Sequence, residues 1–277
     1  AIPPLPLANA SSTRTARFPA WWTACRLLLI SVRASRVQSQ MQSGLFCWKA
    51  TRNSVNTESI TLSSGARGLK ALIDRAVGLD ATANVRLRQL EKDTVDVFVT
   101  TPFGVTASRR VGGTVSRDGA VVTASAVQDA MEIVVDFSVG PAMTLDLGPA
   151  RDPAWIGALP PAQGFKVLDT IPVPVVRELA DKGQDLARQF SGPLGPPASL
   201  LDQTVVTVHA NEDTEAAGTS AEITMRLIFA CVNLGFIPGF AAPDNVPRHL
   251  RVSSLGRWLR VDAPFGTVYQ SSSLLAF

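Results

Sequence analysis

The stretch Thr101-Pro102-Phe103-Gly104-Val105 decides the fold that we predict, because a close copy, Ala263-Pro264-Phe265-Gly266-Thr267-Val268, occurs near the other end of the chain. A helical pattern and two predicted strands precede each copy, and a further strand follows it. The order helix, strand, turn, strand, Pro-Phe-Gly, strand therefore occurs twice and suggests a duplicated structural unit. The alternative is a coincidence of turn chemistry, because Pro fixes φ, Gly permits a positive φ and Phe packs.

Apolar spacing defines the elements of both copies. Apolar residues recur at helical spacing over residues 69–79 and 225–234, and Gly235 is a natural C-terminal stop for the second helix. Polar and apolar residues then alternate, as in half-buried strands, over residues 85–88, 95–99, 249–252 and 258–261. We therefore predict an α+β protein with a mostly antiparallel sheet and packed helices.

The remaining body of the chain alternates helices and strands around a linker. Residues 121–131 fit a short helix and a continued strand equally well, whereas residues 175–190 form a clear amphipathic helix. Residues 148–161 are rich in Pro, Gly and Ala around Trp155, which indicates a linker whose Trp docks on a core. We predict further strands over residues 105–108, 133–137 and 204–208, and an acidic loop over 211–220.

Residues 1–57 differ in composition from the residues that follow them. They carry seven Arg or Lys residues and no Asp or Glu, so the total net charge of +3 leaves −4 on residues 58–277. We interpret them as a leader outside the domain, either upstream sequence from a mis-assigned start or a targeting segment. The body is then mildly acidic, with an N-terminal α+β lobe over 58–150 and a C-terminal α+β lobe over 151–277.

The sequence contains none of the motifs that mark nucleotide-binding loops, dinucleotide folds or hydrolase nucleophiles. Its two histidines, His209 and His249, are not at zinc-ligand spacing, and the stretch 109–113 (Arg-Arg-Val-Gly-Gly) is a weak phosphate-binding pattern. Cys231 stands alone in the body and is predicted to be a small buried hydrophobe, which suits a reducing, cytosolic compartment. We therefore predict no catalytic residue, no metal site and no cofactor, which favours a non-enzymatic protein and leaves an enzyme as an open alternative.

The C-terminal hairpin carries the candidate binding residues. They combine basic and aromatic side chains: Arg251, Arg257, Trp258, Arg260 and Phe265. A basic hairpin with aromatics can follow a nucleic-acid backbone or stack bases. Strand alternation offers a simpler explanation, in which Arg251 and Arg260 form the solvated face of a sheet whose other face is core.

The two Phe residues of the repeated stretch test the duplication. If the two turns are equivalent, Phe103 should insert into core near Leu72 or Ala76 of the first predicted helix. In the same way, Phe265 should insert near Leu227 or Ile228 of the second. An exposed Phe265 beside the hairpin arginines would instead favour the nucleic-acid hypothesis.

Three runs of this sequence, residues 72–80, 101–105 and 256–269, resemble proteins of high-GC actinobacteria, and the 21 Arg against 5 Lys suit a high-GC genome. The resemblance covers about residues 60–277 and brings no activity, cofactor or catalytic residue with it. The leading hypothesis is a cytosolic, non-enzymatic binding or regulatory protein with a protein partner. The alternatives are nucleic-acid binding through the C-terminal hairpin and an enzyme with an unrecognised pocket. Since no stretch is long and apolar enough to span a bilayer, we predict no membrane insertion.

Overall fold

A computed structural model describes residues 57–132, 142–190, 197–210 and 218–272. The helices are α1 (Ala66–Leu79), α2 (Ala124–Glu132), α3 (Val173–Phe190), α4 (Ala198–Leu201) and α5 (Met225–Asn233). The first six strands are β1 (Thr57–Ser64), β2 (Asn84–Glu91), β3 (Thr94–Thr100), β4 (Thr106–Val115), β5 (Val121–Thr123) and β6 (Met143–Pro149). The others are β7 (Lys166–Pro172), β8 (Thr204–His209), β9 (Ser220–Thr224), β10 (His249–Leu255), β11 (Trp258–Ala263) and β12 (Gly266–Ser271).

The predicted helices and strands that fall within the described residues are present, and the ambiguous segment contains both of its alternatives. Residues 121–131 form the short strand β5 followed directly by α2. Gly235 follows the end of α5 with φ 70°, as a C-terminal stop requires. The predicted strand 133–137 and most of the acidic loop lie outside the described residues, as does the leader except for Thr57, which begins β1. Within the part of the chain that the structure describes, no helix is long and apolar enough to cross a membrane.

The main sheet is symmetric in strand order, which confirms the predicted α+β class with a mostly antiparallel sheet. Its order is β5-β2-β3-β4-β12-β11-β10-β7, and β1 pairs with both β4 and β6 at one side of this path. Strands β8 and β9 form a separate two-stranded sheet. Every pairing among the described strands is antiparallel. The strand order outward from β4 (β3, β2, β5) therefore corresponds to the order outward from β12 (β11, β10, β7).

This symmetry reflects a repeated unit of strand, helix and three strands. The first unit runs β1-α1-β2-β3-β4, and the second runs β9-α5-β10-β11-β12. The remaining helices extend the symmetry, because α1 packs against α2 and α5 packs against α3. The repeated element order that the sequence predicts is thus present, and it extends to one further strand at the start of each unit.

The two Pro-Phe-Gly stretches occupy equivalent connections but adopt different turns. The first lies in a five-residue loop between β3 and β4, where Gly104 has φ 72°. In the second, Pro264 and Phe265 form a tight hairpin, and Gly266 already pairs with Ala263 in the sheet. The shared tripeptide therefore does not fix one turn geometry.

Both Phe side chains are half-buried and pack against the main core, and Phe103 also contacts the helix of the other unit. The aromatic contact of Phe103 is with Phe229 of α5, the helix of the other unit, with ring centroids 6.2 Å apart. The reason is the antiparallel pairing of β4 with β12, which places Thr106 opposite Tyr269 and brings the preceding loop against the second unit. Phe265 stays with its own unit, since its N–H donates to the Phe236 carbonyl just beyond α5.

The main core lies between the helices and one face of the sheet. It contains the apolar faces of α1 and α5 together with alternate residues of the central strands. A second, smaller cluster packs on the opposite face of the sheet and consists of Phe98, Val121, Trp155 and Tyr269, with Leu159, Phe165 and Trp258 against it. Trp155 is 9% exposed, so the predicted docking of the linker Trp on a core is confirmed.

Candidate functional site

Strand alternation divides the central strands between the main core and the opposite face. On β11, for example, Leu259 and Val261 belong to the main core, so Arg260 and Asp262 point away from the helices. The same alternation places six further residues on that side: Asp96, Phe98, Ser108, Arg110, Thr267 and Tyr269. We call this side of the sheet the outer face.

A cavity of about 130 Å³ opens on the outer face at the centre of the sheet. Its lining is Asp96, Ser108, Arg110, Arg260, Thr267 and Tyr269. Cross-strand register brings these residues together, because Asp96 pairs with Arg110, Ser108 with Thr267, and Arg260 with Tyr269. The central cavity therefore takes three lining residues from each repeated unit.

Asp96 anchors one side of the central cavity as a buried carboxylate, only 2% exposed. Its Oδ1 accepts a hydrogen bond from Arg110 Nε at 2.8 Å, and its Oδ2 accepts from Arg110 Nη2 at 3.1 Å. A second arginine, Arg88, donates to Oδ2 from Nη2 at 3.2 Å. The hydrogen bond with Asp96 raises the pKa of Arg110 although burial opposes it, so this guanidinium stays charged.

Asp262 holds the side chains on the opposite side of the central cavity. Its Oδ1 accepts hydrogen bonds from Arg260 Nε and from the Thr267 hydroxyl, each at 2.8 Å. Arg251 approaches Oδ2 with Nη2 at 3.4 Å. The Arg260 guanidinium also lies 5.5 Å from the centroid of the Phe165 ring, within the range of a cation–π contact. Arg260 is therefore held by an ion pair and an aromatic ring.

Tyr269, the single tyrosine of the chain, places its hydroxyl at the cavity. Its ring packs at 5.9 Å from Phe98 and 6.0 Å from Phe165, measured between centroids. Burial raises the pKa of Tyr269, because the phenolate loses its hydration, whereas the Arg260 charge and the Ser108 side chain oppose this rise. The hydroxyl is therefore protonated at neutral pH and can donate.

The charges around the central cavity do not cancel. Four arginines (Arg88, Arg110, Arg251 and Arg260) face two aspartates (Asp96 and Asp262), which leaves a local net charge of +2. The body of the chain, by contrast, carries −4 over residues 58–277. The outer face is thus a positive area on a mildly acidic body, and such an area attracts anions.

The structure brings most of the sequence-predicted binding residues to the outer face and excludes one. Arg260 lines the cavity, and Arg251 reaches it through Asp262. Trp258 packs on the small aromatic cluster, with the Arg257 guanidinium 5.5 Å from its ring centroid. Phe265 packs against the main core on the opposite side of the sheet.

Sequence reasoning missed Asp96 and Tyr269, and it misread the neighbouring pair Arg109 and Arg110. The stretch 109–113 is part of β4, so the two arginines point to opposite faces and form no glycine loop. Arg109 lies against Gly68 of α1 and donates from Nη1 to the Phe265 carbonyl at 2.6 Å. The alternation of Val-Asp-Val-Phe-Val in β3 could have placed Asp96 beside Phe98, but nothing local indicates which strand lies next to them.

The residues considered for catalysis or metal binding are apart from this site. His209 ends β8 and His249 begins β10, and both are exposed. Cys231 is 1% exposed, which confirms its predicted burial, and the loss of hydration raises the pKa of its thiol to about 12. Among the described residues, no three His, Cys, Asp or Glu side chains are placed to hold a metal ion.

Comparison with known families divides the chain in two. Residues 57–157 match the family described as "Domain of unknown function (DUF8010)", and residues 160–275 match "Domain of unknown function (DUF8185)". The change between the two families falls close to the predicted division into lobes. A search of curated proteins finds no match.

Among solved structures, the chain is similar to bacterial sliding clamps at low identity. Caulobacter crescentus pol III beta has a TM-score of 0.46 at 10% identity, covering 77% of this chain and 64% of that one. The Pseudomonas aeruginosa DNA polymerase sliding clamp with ligand has a TM-score of 0.44 at 12% identity, covering 80% and 66%. The Thermotoga maritima DNA polymerase III beta subunit has a TM-score of 0.42 at 10% identity, covering 79% and 65%. The chain thus spans slightly less than two thirds of the clamps that it matches.

Proposed function

We propose that this chain is a cytosolic, non-enzymatic binding protein that recognises a negatively charged partner through the outer face of its sheet. The observation that carries the proposal is the central cavity, where two guanidinium groups and three hydroxyls converge within an area of net charge +2. Guanidinium groups in fixed geometry favour carboxylate and phosphate ligands. The lone body cysteine, reduced and buried, supports the cytosolic assignment.

The size and chemistry of the cavity favour binding over catalysis. At about 130 Å³ it is well below the roughly 300–1,000 Å³ of typical small-molecule sites, so it suits one small group of a larger partner. Its Asp96 carboxylate is held by donors from two arginines, which orient it and leave little freedom for proton transfer. The raised pKa of Tyr269 likewise makes this residue a hydrogen-bond donor and a poor base.

Nucleic-acid binding is the second candidate, supported by the Arg257 guanidinium beside the Trp258 ring. One observation favours a protein partner with an acidic or phosphorylated group over nucleic acid. Phe265 offers no stacking surface on this side, because it packs on the main core.

Fluorescence anisotropy with two labelled probes tests the proposal: an acidic peptide of ten glutamates and a single-stranded oligonucleotide of twenty nucleotides. We expect the full chain to bind the peptide, and we expect Arg110→Gln and Arg260→Gln to weaken binding at 50 mM NaCl and less so at 200 mM. The matched control is Arg188→Gln, which removes an exposed arginine of α3 that pairs with Asp185.

The control also separates the outer face from the basic leader. Residues 1–57 carry a charge of +7, so a polyanion that binds to this segment will have the same affinity for the unmodified chain and for the Arg110 and Arg260 variants. Equal binding by all three variants and the unmodified chain refutes the proposal. Binding of the oligonucleotide alone, weakened by the same two substitutions, would make nucleic acid the partner instead.

A further inference from the structure

We propose that the central cavity binds a single phosphate group that carries a P–OH, either inorganic phosphate or a singly protonated phosphomonoester. The inference rests on the proposed function and specifies which anion the outer face recognises. The cavity is large enough for several waters or one small tetrahedral oxyanion. Three kinds of group line it: guanidinium, hydroxyl and one carboxylate.

The donors suit an oxyanion. Arg110 and Arg260 come from opposite sides of the cavity, and each is fixed by its own aspartate rather than free to move. Ser108 and Tyr269, which interact with each other, also line the cavity and add two hydroxyl groups. Thr267 also lines the cavity but already donates to Asp262, so it positions Arg260 and Asp262. Charge-assisted hydrogen bonds from such groups are roughly twice as strong as neutral ones.

The Asp96 carboxylate sets the selectivity. An ionised carboxylate only accepts hydrogen bonds and has about four lone-pair sites. Arg88 and Arg110 donate three hydrogen bonds to it among the described residues. A ligand oxygen beside the remaining site must therefore donate a proton, since two facing acceptors repel each other.

This requirement separates phosphate from similar anions. Inorganic phosphate keeps a P–OH in both ionic forms present near neutral pH. A phosphomonoester keeps one only below its second pKa, about 6. Sulfate, phosphodiesters and ionised carboxylates have no such proton, so Asp96 disfavours all three inside the cavity. An acidic peptide therefore contacts Arg110 and Arg260 only through the exposed parts of their side chains, 57% and 23% respectively.

The single tyrosine makes the test direct. Full-length protein labelled with 3-fluorotyrosine has one ¹⁹F resonance, from Tyr269 in the cavity wall. We expect sodium phosphate at pH 7.5 to shift this resonance saturably, and we expect sodium sulfate at equal ionic strength to leave it unchanged. Methyl phosphate should act at pH 5.5 and lose most of its effect at pH 7.5, whereas inorganic phosphate should act at both. Equal effects of methyl phosphate at both values would show that the P–OH is not recognised and overturn the selectivity argument.

Substitutions of residues that line the cavity test whether the ¹⁹F shift of Tyr269 reports binding inside it. Arg110→Gln and Arg260→Gln should each weaken phosphate binding by about tenfold or more, the effect of losing one hydrogen bond to a charged group. Asp96→Asn should let sulfate bind, because an amide can donate where the carboxylate cannot. Arg188→Gln on α3 should change nothing. If Asp96→Asn fails to fold, Ser108→Ala remains as the test of the lining and should weaken phosphate binding several-fold.

Two further outcomes overturn the inference. One is the absence of a saturable shift with phosphate, and the other is an equal response to sulfate in the unmodified chain. If either occurs while acidic-peptide binding still depends on Arg110 and Arg260, the phosphate site is wrong and the proposed function stands. If the two arginine substitutions also leave peptide binding unchanged, both the phosphate site and the proposed function are wrong.

Discussion

Asp96→Asn should destabilise the protein by about 3 kcal/mol, mainly through one of its two arginine partners. The side chain of Arg110 is 57% exposed, and a pair so close to water contributes about 0–1 kcal/mol. The side chain of Arg88 is only 14% exposed, and its Nε is buried without a hydrogen-bond partner among the described residues. Removing the carboxylate leaves the Arg88 charge uncompensated in a largely buried place, which typically costs about 3–5 kcal/mol when burial is complete.

The cost of Asp96→Asn should depend on whether Arg88 is present. Arg88→Met keeps most of the apolar stem over Phe98, whose ring lies 4.7 Å from the guanidinium, and removes the charge. In that background Asp96→Asn should cost only about 1 kcal/mol, so the coupling energy is about 2 kcal/mol. Urea denaturation followed by circular dichroism measures all four variants, with Arg110→Gln as the control for a half-exposed partner. An equal cost of Asp96→Asn in both backgrounds would show that Arg88 does not depend on this carboxylate and would refute the reasoning.

Three further predictions concern residues outside the arginine pairs. Cys231, with a thiol pKa of about 12, should react with iodoacetamide at pH 8 far more slowly in the native protein than in urea, and comparable rates would contradict its burial. Gly113→Ala should lower the free energy of unfolding in urea by well over 2 kcal/mol, because φ is 151° and a Cβ would lie 2.0 Å from the Thr61 carbonyl oxygen. Gly148→Ala, where φ is 73° and nothing lies near the added Cβ, should lower it by only about 1 kcal/mol. In a titration followed at 295 nm, Tyr269 should ionise at a higher pH than a free tyrosine, and ionisation at the ordinary pH would contradict its burial. Because the pKa is raised in the folded state, the contribution of Tyr269 to stability is complete below the unfolded pKa and is lost as pH rises through the folded pKa.

Local patterns predicted the helices and strands because burial of one face gives the apolar residues a regular spacing, which is visible within a single segment of sequence. The helical spacing over residues 69–79 matches the buried positions of α1, and the alternation over 85–88 matches those of β2. In β3, by contrast, all of residues 95–99 are buried, because the outer face of the sheet is covered there as well. The turn chemistry of Gly235 likewise depends only on its own backbone conformation. These predictions needed no knowledge of distant residues.

The candidate site could not be predicted in this way, because it depends on which strands lie side by side. Arg260 was visible as a polar residue of an alternating strand, but Asp96 and Ser108 reach it only through the pairing of β4 with β12, about 160 residues apart in the chain. The same pairing brings Phe103 into contact with Phe229 in the helix of the other unit. Apolar alternation fixes the face on which a residue lies and leaves its neighbour across the strand undetermined.

The internal symmetry explains why arginine–aspartate pairs lie on both sides of the cavity at the centre of the sheet. In the first unit, Arg88 of β2 stands directly opposite Asp96 of β3; in the second, Arg251 of β10 stands directly opposite Asp262 of β11. These strands are equivalent in the two units, so each unit brings one arginine–aspartate pair to the outer face. The two pairs face each other across β4 and β12, the strands that join the units.

The two pairs differ in their neighbour on the central strands. The residue opposite Asp96 on β4 is Arg110, whereas the residue opposite Asp262 on β12 is the shorter and uncharged Thr267. Thr267 also faces Ser108 across the seam between β4 and β12, so two short side chains meet where the units join. The cavity lies at this point and is bordered by charge from both sides. The central cavity is therefore a property of the paired units, and neither unit alone contains more than half of its lining.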